Sequence, residues 1–101
     1  MMTPIQLDQM RYLRYGMKAL SLIEKKIGCR IATLDFEQLN LEQLAVVWWA
    51  GLVHEDPKLT PDRLMDLVDD HASIETMMQA MATAMTEAFG KGNGTDEKKP
   101  S

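Results

Sequence analysis

The chain has 101 residues and a formal net charge of −4, with 46% hydrophobic and 26% charged residues. This length allows one hydrophobic core and excludes a second, and the composition is too apolar for a wholly disordered chain. No apolar run reaches the ~18–20 residues of a membrane-spanning helix, and a single cysteine, Cys29, excludes an internal disulfide.

Residues 3–15 fit two local structures. The start Thr3-Pro4-Ile5-Gln6 has the pattern of a capped helix. Residues 5–7 and 12–15, however, alternate between apolar and polar side chains, as two short strands do around a turn at Asp8-Gln9. No glycine stands in that turn, although tight hairpin turns favour one. We favour the β-hairpin, and the helix stays an open alternative.

The first helix is predicted over Gly16–Ile27. Its apolar face consists of residues spaced three and four apart, namely Met17, Leu20, Ile23 and Ile27. Gly28 then supplies the left-handed residue that commonly ends a helix.

Two capping signals precede the most apolar segment of the chain. Asp35 is placed to cap a one-turn helix that extends through Leu39. Asn40, with Gln43 three residues later, has the pattern of a capping box. The helix that follows is predicted over Leu41–Val53.

Two further helices are predicted after the loop at residues 54–59. Thr60-Pro61 combines a hydroxyl cap with a proline at the first helical position, and this helix ends near Asp70-His71. Its buried stripe is predicted to be Leu64, Leu67 and Val68. The last helix begins near Ser73 and ends at Gly90.

Together these elements predict a mainly α fold. It is a small bundle of four to five helices, with the short N-terminal β-hairpin as the favoured structure of its first residues. Residues 1–90 form a single domain. Residues 91–101 contain no apolar side chain and are predicted to be a disordered polar tail.

The sequence offers few residues for a reaction centre. Potential metal ligands concentrate only around His54 and His71, and neither group has the spacing of a zinc site or a calcium loop. Cys29 has no histidine nearby in sequence, and no serine lies in a glycine-flanked elbow. A chain of this size also leaves little room for a concave pocket of a few hundred cubic ångströms. We therefore expect no metal, no cofactor and no enzymatic activity.

Two features point to a partner-binding surface instead. Adjacent helix residues point about 100° apart. Trp48 and Trp49 therefore either both pack inside a central helix with several neighbours, or Trp49 lies exposed as an anchor for a partner. The last helix carries a methionine-rich stripe from Ile74 to Phe89, which either fills an irregular core or lines a groove for variable helices. The candidate partner-binding residues are Trp49, Met77, Met78, Met81 and Met85.

Two segments carry a family resemblance. In Leu13–Lys25 a short predicted hairpin leads into a helix in which Ala19 and Glu24 form an Ala-x-x-x-x-Glu pattern. In Ala50–Thr60 a small residue, Gly-Leu, a histidine, acidic residues, Pro, Leu and Thr follow one another between two helices. In the order and spacing of these segments, over residues 5–90, the chain resembles bacteriophage tail assembly chaperones.

This resemblance implies a non-enzymatic protein of the host cytoplasm that is absent from the mature virion. It implies that the chain binds the long helical tape-measure protein, keeps it soluble and helps tail-tube subunits to polymerise. Several weak copies along one long client bind by avidity, so self-association is expected. No membrane is expected as a partner, because the first residues also lack the basic end and apolar stretch of a signal peptide.

A small helix-turn-helix DNA-binding regulator is the alternative function. Residues 1–34 carry six basic and two acidic residues, whereas residues 35–90 carry two basic and eleven acidic ones. The helix after Thr60-Pro61 would present Arg63 among four aspartates, which repel phosphate. We therefore expect no nucleic-acid partner. A small enzyme that uses one of the two histidines is the third possibility.

Overall fold

The computed structural model describes residues 2–90, which form a two-stranded hairpin followed by four α-helices. The elements are β1 (Thr3–Gln6), β2 (Met10–Leu13), α1 (Met17–Ile27), α2 (Leu41–Leu52), α3 (Pro61–His71) and α4 (Ile74–Gly90). The predicted mainly α fold with an N-terminal hairpin is confirmed. The tail predicted over residues 91–101 lies outside the described residues.

The hairpin forms without a glycine in its turn. β1 and β2 are antiparallel, with Ile5 opposite Arg11. The turn is organised by Asp8, whose carboxylate accepts a hydrogen bond from the backbone N–H of Gln9 at 2.9 Å. The same carboxylate accepts two hydrogen bonds from the Arg11 guanidinium, at 2.9 and 3.0 Å. The helical alternative for residues 3–15 is therefore wrong.

Helix α1 has the predicted end, but its buried face differs from the prediction. Gly28 adopts a left-handed conformation with φ 86°, and its N–H donates to the carbonyl oxygen of Glu24 at 2.8 Å. Ala19 and Ile23 are the buried residues of α1, which packs against α2. Placing Met17 in the apolar face was wrong, because its side chain is 84% exposed. Met17 precedes Ala19 by two residues and is turned about 200° away from it around the helix.

Side-chain hydrogen bonds stabilise the connection between α1 and α2. The carboxylate of Glu24 accepts from the backbone N–H of Ile31 at 2.9 Å, at the first of two 3-10 turns. The second turn spans Phe36–Gln38, where Asp35 accepts from the N–H of Glu37 at 3.0 Å. The one-turn helix predicted after Asp35 is thus confirmed in this shorter form.

Helices α2 and α3 begin where their caps were predicted. Asn40 accepts from the N–H of Gln43 at 2.8 Å, and the Gln43 side chain accepts from the N–H of Asn40 at 3.0 Å. Thr60 accepts from the N–H of Arg63 at 3.1 Å, with Pro61 at the first helical position. The buried residues of α3 are those predicted: Leu64, Leu67 and Val68.

The core lies around α2 and the inner face of the hairpin. Helix α2 packs against α1, α3 and β2, while α4 packs against both strands. Because β2 contacts both α2 and α4, the hairpin closes the core between these two helices.

Candidate partner-binding surfaces

The methionine stripe of α4 lies mostly inside the core. Three of its members are buried: Met77, Met81 and Met85. Met78 is half-buried against them, and the two ends of the stripe, Ile74 and Phe89, are exposed. Helix α4 turns these thioethers toward the core, where flexible side chains fill irregular space. Of the two interpretations of the stripe, the structure therefore favours the core for Met77, Met81 and Met85.

Trp48 and Trp49 have different surroundings. Trp48 is buried, and its indole Nε1 has no hydrogen-bond partner among the described residues. Trp49 is half-buried, and its Nε1 donates to the carbonyl oxygen of Leu59 at 2.7 Å. The ammonium of Lys26 lies 5.8 Å from the centroid of the Trp49 ring, within cation–π distance. Trp49 therefore links α1, α2 and the loop before α3, and only part of its ring is left for a partner.

The two segments that carry the family resemblance contact each other at Gly51. A Cβ atom at this position would lie 2.8 Å from Cδ2 of Leu13 and 2.8 Å from Cζ of Tyr15. The backbone N–H of Arg14 donates to the Gly51 carbonyl at 2.9 Å. The Tyr15 hydroxyl donates to the carbonyl of Val47 at 2.8 Å, and burial raises the pKa of Tyr15, so it remains a neutral donor. Gly51 thus lets the chain between β2 and α1 approach α2 closely.

The loop after α2 covers the outer edge of β2. The backbone N–H of Tyr12 donates to Oε1 of Glu55 at 3.1 Å, and the ring Nε2 of His54 lies 2.9 Å from the Tyr12 carbonyl oxygen. Both polar backbone atoms of Tyr12 therefore turn away from β1. Pro4, which lies opposite Tyr12 and lacks an N–H, costs the hairpin no hydrogen bond. His54 and Glu55 protect a strand edge that would otherwise be open.

Arg11, one of the six basic residues of the N-terminal third, is a buried charge. Its guanidinium pairs with Asp8 and lies 3.6 Å from Oδ2 of Asp56. The hydrogen-bonded Arg11 holds the pKa of Asp8 below its usual value, and the hydrogen bond with Asp8 raises the pKa of Arg11. A signal was present, because the alternation that turns Leu13 into the core turns Arg11 the same way.

We expect Asp8→Asn to lower the free energy of unfolding at neutral pH by about 1–2 kcal/mol, since it weakens the pairing of a buried arginine. The folded-state pKa of Asp8 lies below its unfolded value. The stabilisation is therefore complete well above pH 4 and is lost as the pH falls through the folded-state pKa. We expect urea unfolding at a series of pH values to show that the gap in unfolding free energy between wild type and Asp8→Asn narrows below pH ~4. Asp66→Asn, on the exposed face of α3, is the matched control, and a pH-independent gap for Asp8→Asn would contradict this role.

A cleft of about 380 Å³ lies between the start of α1 and the end of α2. Its walls include Leu22 and Ala50, and its charged or titratable side chains are Arg14, Lys18 and His54. The expectation that the chain leaves little room for a pocket of a few hundred cubic ångströms is therefore wrong. Among residues 2–90, no carboxylate, hydroxyl or thiol lines this cleft, so none of these residues places a nucleophile beside His54 there.

Within residues 2–90, no three or more His, Cys, Asp or Glu side chains are grouped so as to hold a metal ion. Over the same residues, no helix combines the length and the apolar character needed to cross a membrane.

The outer face of the hairpin is apolar and exposed. Side chains alternate along each strand, so Ile5, Arg11 and Leu13 point inward while their neighbours point outward. The outward side chains include the polar Gln6, opposite Met10. We call the exposed apolar side chains on this side the hairpin face; they are Met2, Pro4, Met10 and Tyr12. Flexible methionines beside an aromatic ring are typical of surfaces that bind varied partners.

The outer face of α3 is acidic. Its exposed carboxylates are Asp62, Asp66, Asp69 and Asp70. Such a helix repels a phosphate backbone, whereas a recognition helix needs basic or amide side chains.

The chain matches no protein-family model, and no significant match is found among curated proteins or solved structures. The fold and its surfaces, together with the sequence resemblance, are therefore the grounds for a functional proposal.

Proposed function

We propose that this chain is a tail assembly chaperone of a tailed bacteriophage or prophage. In this role it binds the tape-measure protein in the host cytoplasm, assists tail-tube assembly and does not enter the mature virion. The observation that supports the proposal most is the contact between the two resembling segments at Gly51. Because residues of the two segments pack against each other in one fold, we expect the segments to occur together in one chain, with a fixed order and spacing.

The individual residues of the resemblance have structural roles in this chain. Ala19 is buried in α1, and Glu24 accepts the hydrogen bond of Ile31. His54 and Glu55 cover the edge of β2. These structural roles suggest that the resemblance reflects a shared fold. The surface that binds the client would then consist of other residues.

We propose the hairpin face as the surface that binds the tape-measure protein. Met77, Met81 and Met85 are buried, whereas Met2, Met10 and Tyr12 are exposed. A surface of four apolar side chains binds weakly on its own, so we propose that several copies hold a long client through avidity.

The DNA-binding alternative has less support. It requires α3 or another helix to approach phosphates, and the exposed carboxylates of α3 oppose that approach.

Gene order offers an inexpensive test. We expect the gene for this chain to lie between a tail-tube gene upstream and a very long tape-measure gene downstream. A locus without tail genes would contradict the proposed function.

Co-expression with fragments of that tape-measure protein is the biochemical test. We expect the chain to keep a fragment soluble and to co-purify with it. The double variant Met10→Ser with Tyr12→Ser should reduce the recovered fragment at least about tenfold, because it removes central apolar contacts. Phe89→Ser, at an equally exposed apolar position outside the hairpin face, is the matched control. Fragments that stay insoluble beside well-folded wild-type chain would refute the proposal.

A further inference from the structure

The cleft between the start of α1 and the end of α2 combines apolar walls with positive charge. Its volume of about 380 Å³ lies within the 300–1,000 Å³ typical of small-molecule sites. Ala19 and Ala50 in its walls are buried and Leu22 is half-buried, whereas Arg14 and Lys18 are exposed. The apolar groups therefore form the inner part of the cleft, and the two cations lie toward solvent.

Neither cation is neutralised by a carboxylate of the described chain. Within residues 2–90, the ion pairs are those of Arg11 with Asp8 and Asp56, so Arg14 and Lys18 belong to none. The cleft has no acidic residue in its lining over the same part of the chain. In a protein with a net charge of −4, two unpaired cations beside one apolar cleft form a local positive potential that attracts an anion.

The N-terminus of α1 adds to this positive potential. The first backbone N–H groups of a helix have no partner within the helix and carry partial positive charge. No side chain caps them at α1, where the N-cap is Gly16, and the first turn holds no acidic residue. Gly16 and residues 17–19 line the cleft. An anionic group beside Arg14 and Lys18 can therefore also accept hydrogen bonds from these N–H groups.

Hydrogen bonds hold two of the lining residues in place. The backbone N–H of Arg14 donates to the carbonyl of Gly51 at 2.9 Å, which fixes the start of its side chain beside α2. The ring Nε2 of His54 lies 2.9 Å from the carbonyl oxygen of Tyr12. Since a carbonyl oxygen only accepts, Nε2 carries the hydrogen and donates it. His54 is thus held as part of the wall, and Arg14 and Lys18 remain as the groups that can bind an anion.

We propose that this cleft binds a small amphiphilic anion, a carboxylate joined to an apolar group. The carboxylate pairs with Arg14 and Lys18 at the N-terminus of α1, where the guanidinium offers two parallel hydrogen bonds to its oxygens. The apolar group packs against Ala19, Leu22 and Ala50. Both parts of the ligand are needed, because an exposed ion pair alone contributes little in water. This inference goes beyond the proposed function and does not depend on it.

Amide NMR spectra of the full chain, recorded while octanoate is added, test the proposal. We expect saturable shift changes that are largest at residues 16–19, Ala50 and Val53, which line the cleft. Octanamide keeps the apolar chain without the charge, and acetate keeps the charge without the chain. Each should bind at least about tenfold more weakly than octanoate.

Two variants remove the cations at exposed positions and so leave the core unchanged. In Lys18→Glu the new carboxylate lies in the first turn of α1, where it interacts favourably with the helix dipole and repels the ligand. We expect Lys18→Glu and Arg14→Gln each to weaken octanoate binding at least about tenfold. Lys58→Glu and Arg63→Gln make the same substitutions at exposed cations outside the cleft, and both should bind octanoate as wild type does.

Three results would overturn the proposal. The first is an absence of saturable shift changes at the cleft residues, including the case in which octanoate shifts only Met10 and Tyr12 of the hairpin face. The second is octanamide that binds as tightly as octanoate, because the cations would then have no role. The third is unchanged octanoate binding by Lys18→Glu and Arg14→Gln when the spectra of both variants show the wild-type fold.

Discussion

Replacing Gly51 by valine is expected to lower the free energy of unfolding by about 3 kcal/mol. The new side chain would begin 2.8 Å from Leu13 and 2.8 Å from the Tyr15 ring. Neither neighbour can easily move, because Leu13 is fully buried and the Tyr15 hydroxyl is bonded to Val47. The clash therefore forces apart the two segments that meet at this point.

Gly51→Ala makes the test sharper, because helix propensity and packing predict opposite signs. In an open helix, alanine in place of glycine stabilises by about 1 kcal/mol. Here we expect a loss of about 1–2 kcal/mol, since the Cβ atom alone makes both close contacts. Gly16→Ser is the control, because nothing lies within 4 Å of a Cβ at Gly16 and serine is a good N-cap. Urea unfolding gives all three values, and a Gly51→Ala variant as stable as wild type would contradict the close approach.

Met77→Ala is expected to cost about 2–5 kcal/mol of stability, because it removes a fully buried side chain and leaves a cavity. Met17→Ala, on a side chain that is 84% exposed, should change stability by less than about 0.5 kcal/mol. The same substitution at two methionines thus separates a core position from a surface position.

Thermal and urea unfolding of both alanine variants provide the comparison. Unchanged m-values would confirm that the two variants unfold from the same fold. Small and equal losses of stability in Met77→Ala and Met17→Ala would mean that the Met77 side chain is accessible. The groove interpretation of the methionine stripe would then be favoured.

The local boundaries of the helices could be predicted from the sequence. The capping box at Asn40 and Gln43, the Thr60-Pro61 start and the left-handed Gly28 each depend on residues within one turn of the helix end. Signals of this kind are complete in the local sequence, so they required no knowledge of the fold.

The orientation of the apolar faces was harder to predict. A stripe at helical spacing shows that one side of a helix is apolar, but the neighbouring elements decide which of its members are covered. Met17 is left exposed at the start of α1, whereas Met77 is fully buried on α4, which packs against the hairpin. The sequence pattern therefore left the methionine stripe open between core and surface, and the structure assigns most of it to the core.

Contacts between distant parts of the chain had no sequence signal. His54 and Glu55 bind Tyr12 across more than forty residues, and Arg11 approaches Asp56 across a similar separation. The exposure of the hairpin face could not be predicted from the local sequence either, because it depends on which elements pack against the other side of the strands.

The central claim is that this chain acts through accessible apolar surfaces of the hairpin, with its C-terminal methionines serving the core. Amide NMR spectra of the labelled chain, recorded while a tape-measure fragment is added, test this most directly. We expect the largest shift changes at Met10, Tyr12 and their neighbours in β2, with the amides of Met77 and Met81 nearly unchanged. Changes confined to α4, with an undisturbed hairpin, would contradict it.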